Sequence, residues 1–276
     1  MPLMADLPQT SHVRLDRRGP VLHLWLNRPE LRNALSQQMV SEILATFAAI
    51  ADDRSVRLVV LRGTGGTFCA GADIKNLSTT GEAPPAGARD EVKDNNRRFG
   101  TMMETVNAAA QAVIAAVEGF AMGGGFGLAC VADVTIATAD AVFAMSEVKI
   151  GVVPAAISPF VVKRIGLTAA RRFGVSGARL NGMQAREIGV AHVCVPDAAA
   201  LDVAVREASN QVLACAPGAV AATKRLMLRA AGPTPMAELL DDAAESFAAA
   251  LRSPEGREGT KAFVEKRKPS WVVQVD

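Results

Sequence analysis

Residues 112–132 read AVIAAVEGFAMGGGFGLACVA and form the one long apolar stretch of the chain. The stretch contains Glu118 and several glycines, and Asp133 follows it directly. A membrane-spanning helix needs about 20 consecutive apolar residues without such interruptions. The stretch therefore predicts a buried strand, a glycine-rich turn and a buried helix inside a globular core.

Short apolar runs on either side of this stretch are typical of buried strands. They cover residues 21–26, 58–61, 134–137 and 141–144. Between the runs, residues 33–50 carry apolar side chains at helical spacing, and residues 91–107 predict a charged helix. Strands separated by helical segments indicate an α/β layered fold.

The pattern becomes helical after Gly151, with a single predicted strand at residues 191–195. The predicted helices cover residues 160–165, 169–174, 183–188, 201–214, 218–229, 235–251 and 255–268. We therefore divide the chain into an α/β core, residues 1–200, and a helical C-terminal subdomain, residues 201–276.

Composition excludes several classes of protein. The chain has 276 residues, 50% of them hydrophobic and 21% charged, which supports a sizeable core and argues against disorder. Aromatic residues make up only 4%, with no Tyr, and the net charge is +2. A platform that stacks nucleic-acid bases is therefore not expected. The N-terminus lacks a basic region followed by an apolar run, so we expect a soluble, cytoplasmic protein that needs no membrane.

The four cysteines form no CxxC pair, and the three histidines show no metal-ligand spacing beside them. We therefore expect neither a metal site nor a disulfide framework.

Two glycine-bearing loops each follow a predicted strand. They read FCAGADIK at residues 68–75 and GFAMGGGFG at residues 119–127, and neither matches a nucleotide-phosphate motif. If both loops open helices, their first N–H groups lack intrahelical partners. Two such groups that converge on one oxygen form an oxyanion hole. The residues alone leave ordinary structural turns as the alternative.

Several short motifs in fixed order resemble the enoyl-CoA hydratase/isomerase (crotonase) family, over roughly residues 13–271. They are NRP at 27–29, NAL at 33–35, FCAGAD at 68–73, AAVEG at 115–119, GGG at 123–125, FAMSE at 143–147, GVVP at 151–154 and EGTKAF at 258–263. The resemblance implies a spiral of ββα turns and a helical trimerisation subdomain. It also implies an acyl-CoA substrate and assembly into homotrimers or homohexamers.

The resemblance also assigns site residues. The matching oxyanion amides are those of Ala72 and Gly124, and the catalytic carboxylate matches Glu147. Coenzyme A then enters as part of the substrate, so no separate cofactor is expected. The implied substrate contacts are Arg28, Ala70, Asp73, Ile74, Lys75, Gly123, Gly127 and Lys261.

Some of these contacts have an ordinary structural alternative. Arg28, Lys75 and Lys261 are candidates for the phosphates or adenine of CoA, but residues of this kind are more often ordinary solvated charges. Asp73 is better suited to capping a helix that begins at Ile74 than to acid/base work. The tract TTGEAPPAGARD at residues 79–90 is typical of a mobile insert.

The sequence departs from the family at one informative position. Hydratases of the family commonly use two glutamates, and the first falls three residues after the middle glycine of the GGG loop. Here that position is Gly127, whereas the second matches Glu147. A lone glutamate in an apolar pocket has a raised pKa and suits a proton carrier. We attribute the missing side chain to room for a bulky branch and to removal of a repelling negative charge.

The flanking residues favour hydration of a branched substrate. The stretches GGFGLAC at 124–130 and EVKIGVVPAAISPFVV at 147–162 resemble the isohexenylglutaconyl-CoA and 3-methylglutaconyl-CoA hydratase group. That group implies a lyase of fatty-acid, terpene or leucine catabolism. Two alternatives stay open, a Δ3,Δ2-enoyl-CoA isomerase that uses Glu147 alone and a non-catalytic acyl-CoA-binding relative.

Overall fold

A computed structural model of the chain describes residues 6–73, 83–85 and 87–275. Its strands are β1 (Val13–Arg18), β2 (Val21–Leu26), β3 (Leu58–Gly63), β4 (Ala112–Val117), β5 (Phe120–Met122), β6 (Val134–Thr138), β7 (Val142–Ala144), β8 (Arg179–Asn181) and β9 (Val193–Val195). Its α-helices are α1 (Gln37–Ile50), α2 (Glu91–Ala108), α3 (Gly124–Val131), α4 (Ser158–Ser176), α5 (Gly182–Glu187), α6 (Ala198–Leu213), α7 (Pro217–Ala230), α8 (Met236–Arg252) and α9 (Pro254–Val264).

The strands form two sheets. The larger sheet has the order β1-β2-β3-β4-β6-β9, and all neighbours are parallel except β1 and β2. The smaller sheet has the order β5-β7-β8, in which only the pairing of β7 with β8 is antiparallel. Every residue of β4 is buried, as expected for a central strand covered on both faces. The stretch at residues 112–132 is thus confirmed as strand, turn and helix, with β5 inside the turn.

Most predicted elements are confirmed, and the differences have physical causes. The helices expected at 160–165 and 169–174 are confirmed as the two parts of α4, which meet at Gly166, where a φ of +73° breaks the helix. The prediction of a single strand after Gly151 is wrong, because β8 also lies there. Strand β1 was missed because its residues alternate with charges, which suits an edge strand with one wet face.

Helices cover both faces of the larger sheet. On one face, α1, α2 and α3 enclose the main apolar core with β2, β3 and β4. On the other face, Leu201, Val205 and Leu213 of α6 pack against Val60 and Ile114. Helix α6 thus belongs to the packing of the sheet, and the predicted boundary at residue 200 stays a prediction. Within the described ranges, no helix is both long and apolar enough to cross a bilayer.

Candidate active site

The two glycine-bearing loops lie side by side because their backbones pair. The N–H of Cys69 donates to the carbonyl of Phe120 at 2.7 Å, and the N–H of Met122 donates back to the carbonyl of Cys69 at 2.9 Å. These bonds form a parallel bridge between Cys69 and Ala121. The two loops are therefore neighbours through their backbones, and the convergence of their amides on one oxygen stays a prediction.

Two glycines allow the loops to touch. Gly71 has a φ of +101° and Gly123 a φ of +48°, both in the region that disfavours residues with a Cβ. A Cβ built on Gly71 would lie 3.2 Å from the carbonyl oxygen of Met122 and 3.9 Å from Cα of Gly123. Ala72 and Gly124 are the residues that follow this contact, one on each loop.

Backbone hydrogen bonds to Leu35 hold the residues before and after Ala72. The N–H of Leu35 donates to the carbonyl of Gly71 at 2.8 Å, and the N–H of Asp73 donates to the carbonyl of Leu35 at 3.1 Å. Both neighbours of Ala72 are thereby bonded, whereas its own N–H has no acceptor within the described ranges.

Gly124 is the first residue of α3, so its N–H has no intrahelical acceptor. The preceding N–H, that of Gly123, donates to the carbonyl of Ala144 at 2.8 Å, but none of the described residues accepts from Gly124. The positive end of the helix dipole adds to the attraction for an oxygen that carries negative charge. The N–H groups of Ala72 and Gly124 are therefore two available donors on adjacent loops.

Glu147 reaches the same place from the end of the smaller sheet. It begins a short 3-10 turn, Glu147–Ile150, which Gly151 ends with a φ of +75°. A Cβ built on Gly123 would lie 2.7 Å from Oε1 of Glu147, so the carboxyl group rests directly on that glycine. Within the described part of the chain, the buried Oε2 atom has no hydrogen-bond partner. Burial raises the pKa of Glu147 above its ordinary value of 4.5.

These groups open into one cavity of about 740 Å³. Its wall includes the predicted residues Ala70, Ala72, Asp73, Gly123, Gly124 and Glu147. Apolar side chains from four segments complete the wall around the amides, namely Leu35, Val40, Phe99 and Ile157. A cavity of this size, whose wall combines apolar side chains with polar groups, is typical of a site for a small molecule or for part of a larger one.

Two of the predicted CoA contacts, Arg28 and Lys261, lie away from this wall. Arg28 donates to the carbonyl of Ala34 at 2.7 Å and pairs with the Asp73 carboxylate at 2.9 Å, so its guanidinium joins two loops. Lys261 is exposed on α9, 3.9 Å from the Glu265 carboxylate. Their contacts with CoA stay predictions.

Gly127 is fully buried in α3, but the expectation of free room beside it is wrong. A Cβ built there would lie 2.4 Å from Cγ2 of Ile157 and 3.2 Å from Cε of Met103. Hydrocarbon already occupies the space that a side chain at 127 would need.

Part of the predicted site lies outside the described residues. This holds for Ile74 and Lys75, for a helix beginning at Ile74, and for residues 79–82 and 86 of the predicted insert. Of the remaining insert residues, Pro84, Arg89 and Asp90 line the cavity. Asp73 pairs with Arg28, and the cap of a helix at Ile74 stays a prediction because that segment lies outside the described residues.

Sequence reasoning missed one wall of the cavity. Helix α2 was predicted only as a charged helix, yet Val92, Asn95, Asn96 and Phe99 all face the cavity. Their spacing of i, i+3, i+4 and i+7 defines one helical face, which is the signal that was available. Ile157 gave no such signal, because only the folded chain brings it to Gly127.

The buried cysteines near the loops are packing residues, as predicted. Burial raises the pKa of the Cys69 and Cys130 thiols to about 12, so neither is a ready nucleophile at neutral pH. Cys69 also packs against Gly125, whose hypothetical Cβ would lie 2.7 Å from the cysteine Cβ.

Comparison with known proteins gives consistent matches over nearly the whole chain. The family model described as enoyl-CoA hydratase/isomerase matches residues 16–274. Carnitinyl-CoA dehydratase of Proteus mirabilis is 34% identical over 270 residues, covering 95% of this chain and 98% of the relative. Mevalonyl-coenzyme A hydratase SIDH of Beauveria bassiana is 32% identical over 257 residues, covering 91% of each.

Solved structures match equally well. The structure of Pseudomonas aeruginosa AtuE superposes with a TM-score of 0.90 at 49% sequence identity, covering 95% of this chain and 100% of that one.

Proposed function

The chain belongs to the enoyl-CoA hydratase/isomerase family, and we propose that it is a hydratase that adds water across the double bond of an enoyl-CoA thioester. Membership and the shared architecture confirm the expected crotonase fold. One observation supports the proposed chemistry above others. Glu147, Ala72 and Gly124 line the same cavity. None of the described residues accepts a hydrogen bond from the backbone N–H of Ala72 or of Gly124.

The two amides suit the thioester carbonyl. Attack of water at the β carbon moves the electron pair of the double bond towards that carbonyl and forms an enolate. The negative charge develops on the oxygen that Ala72 and Gly124 would hold. Each well-placed donor of this kind contributes about 3 kcal/mol to lowering a barrier.

Glu147 suits both proton transfers of the reaction. In its ionised form it accepts a proton from water as the water oxygen bonds to the β carbon. The same proton then passes from Glu147 to the α carbon, which completes the addition and regenerates the carboxylate. The raised pKa of the buried carboxyl group favours the first transfer, because its carboxylate is a stronger base than that of an exposed glutamate.

We propose a branched acyl group, isohexenylglutaconyl- or methylglutaconyl-like. The wall near the amides is hydrocarbon from Leu35, Phe99 and Ile157, which suits a substituent on the acyl chain. Gly127 contributes no negative charge there, which favours a substrate that carries its own carboxylate. One relative is named mevalonyl-coenzyme A hydratase, and the mevalonyl group is branched at the β carbon.

A Δ3,Δ2-enoyl-CoA isomerase is the second candidate, because moving a double bond needs only one proton carrier. Glu147 is the carboxylate that rests on the GGG loop, whereas Asp73 is held by Arg28. A relative from Mycosarcoma maydis is named enoyl-CoA isomerase/hydratase fer4, with 32% identity over 263 residues.

Product analysis in isotopically labelled water separates these functions. We would incubate the protein with 3-methylglutaconyl-CoA and with crotonyl-CoA in H₂¹⁸O. Incorporation of the label at the β carbon, faster with the branched thioester, is the expected result. Conversion of but-3-enoyl-CoA, tested as a third substrate, to crotonyl-CoA without label identifies the isomerase. No product from any of the three thioesters leaves only a role in binding.

We also propose a homotrimer or homohexamer in the cytoplasm. The C-terminal helices expose large apolar side chains, including Met236, Phe247 and Phe263, with Phe263 at 85% exposure. Apolar surface of this kind is typical of an interface between subunits. Light scattering is expected to give a mass of three or six chains, and a monomer at micromolar concentration would contradict the proposal. The cellular location stays a prediction, to be checked by fractionation.

A further inference from the structure

Ile157 and Gly127 interlock inside the cavity wall. Cγ2 and Cβ of Ile157 would lie 2.4 Å and 3.0 Å from a Cβ built on Gly127. The Ile157 side chain therefore occupies the space that a side chain at position 127 would need. Ile157 is 2% exposed and still lines the cavity. A side chain larger than hydrogen at position 127 is therefore incompatible with Ile157 where it stands.

The backbone keeps Ile157 in this position. Its carbonyl accepts the N–H groups of Phe160 and Val161, both at 3.0 Å, at the start of α4. The next residue is tied as well, because the hydroxyl of Ser158 donates to the carbonyl of Pro154 at 2.6 Å. Withdrawal of the Ile157 side chain would disturb this helix start.

The location of Ile157 relative to the amides indicates what it touches. Gly127 follows Gly124 by three residues on α3, a rise of about 4.5 Å along one face of the helix. Glu147 rests on Gly123 at one end of this turn, and Ile157 covers Gly127 at the other. An acyl chain whose carbonyl is held at Gly124 thus extends between the carboxyl group of Glu147 and the hydrocarbon side chain of Ile157.

We infer that Ile157 is a specificity-determining residue. Its side chain packs against a carbon substituent at the β carbon of the substrate and leaves no room for the side chain of a second glutamate at position 127. The inference rests on the proposed function for the placement of the acyl carbonyl. It names the surface that selects a branched over an unbranched acyl group.

The first experiment measures the interlock by thermal unfolding, without any substrate. Gly127→Ala is expected to lower the melting temperature, although Gly→Ala inside a helix ordinarily raises it. The added change Ile157→Ala should reverse that loss, so that the double variant is more stable than the sum of the single effects predicts. Gly174→Ala is the matched control, because a Cβ there would meet only Cε of Met145, at 3.7 Å. A Gly127→Ala variant as stable as this control would overturn the interlock.

The second experiment measures selectivity by binding, so that catalysis is not needed. Isovaleryl-CoA and butyryl-CoA differ by one methyl group at the β carbon, and their dissociation constants would be compared by calorimetry. The wild-type protein is expected to prefer isovaleryl-CoA, and Ile157→Ala to reduce that preference about tenfold. An equal preference in the wild type and in Ile157→Ala would overturn the inference. Failure of the proposed hydration is a separate result, because neither thioester has a double bond to hydrate.

Discussion

The carboxyl group of Glu147 rests on the backbone of Gly123, so closely that a Cβ at position 123 would lie 2.7 Å from Oε1. Gly123 immediately precedes Gly124, whose N–H is one of the two proposed donors to the substrate oxygen. The proposed proton carrier and the proposed oxyanion amide are therefore linked through one residue that has no side chain. Both this contact and the backbone conformation, with a φ of +48°, account for a glycine at 123.

Gly123→Ala should reduce kcat about 100-fold, because the new methyl group displaces the carboxyl group and strains a backbone whose φ is +48°. Steady-state kinetics with an enoyl-CoA, together with circular dichroism to check folding, measure this effect. Gly174→Ala again serves as the control and should keep wild-type kinetics. A folded Gly123→Ala variant with full activity would show that the contact is incidental.

The pH dependence of kcat/KM should report the ionisation of Glu147. Only the ionised carboxylate accepts a proton from water, so activity is expected to fall as the pH decreases through its pKa. Because burial raises that pKa, the midpoint should lie above the ordinary value of 4.5. A midpoint at or below 4.5, measured where the protein remains folded, disagrees with a buried base.

Glu147→Gln should stabilise the protein at neutral pH. A raised pKa means that the folded state binds more protons than the unfolded state between the ordinary and the raised value. The free energy of unfolding therefore decreases as the pH rises through this window, and Gln removes that loss. Denaturant titrations should show a more stable variant at neutral pH and a smaller difference at pH values below 4.5. If the variant and the wild type were equally stable in both pH ranges, the result would argue against a desolvated carboxylate at position 147.

Arg28 is expected to act on Ala72 through Asp73 rather than as a contact for CoA. Both side chains of the pair are only 11% exposed, so Arg28→Met leaves a carboxylate without its cation and should cost about 3 kcal/mol of stability. We expect kcat to fall while KM changes little, since the loop that carries an oxyanion amide loses its anchor. Arg18→Met, at an exposed pair, is the control. A rise in KM with unchanged kcat would restore the predicted role in CoA binding.

The sequence was sufficient where local pattern and local physics agree. The apolar run of β4 is unambiguous because all its residues are buried. The glycines at 123–125 predicted a turn before a buried helix, and the structure has α3 starting at Gly124. These features depend on neighbours within a few residues.

The sequence was insufficient where distant segments meet. Ile157 fills the space beside Gly127 although the two residues are 30 positions apart in the sequence (157 − 127 = 30). The expectation of an open space at 127 followed from reading one residue without its partner. Likewise, the charge of Arg28 suggested a phosphate, and only the fold reveals Asp73 beside it.

The most direct test of the account compares wild type and Glu147→Gln in both binding and hydration. Each protein would be titrated with a saturated acyl-CoA and then assayed with the corresponding enoyl-CoA. We expect nearly equal affinity for the saturated thioester, because the amides of Ala72 and Gly124 are unchanged. Hydration by Glu147→Gln should be at least about 100-fold slower, as loss of a general acid/base predicts. A Glu147→Gln variant that hydrates the substrate at the wild-type rate would contradict the account.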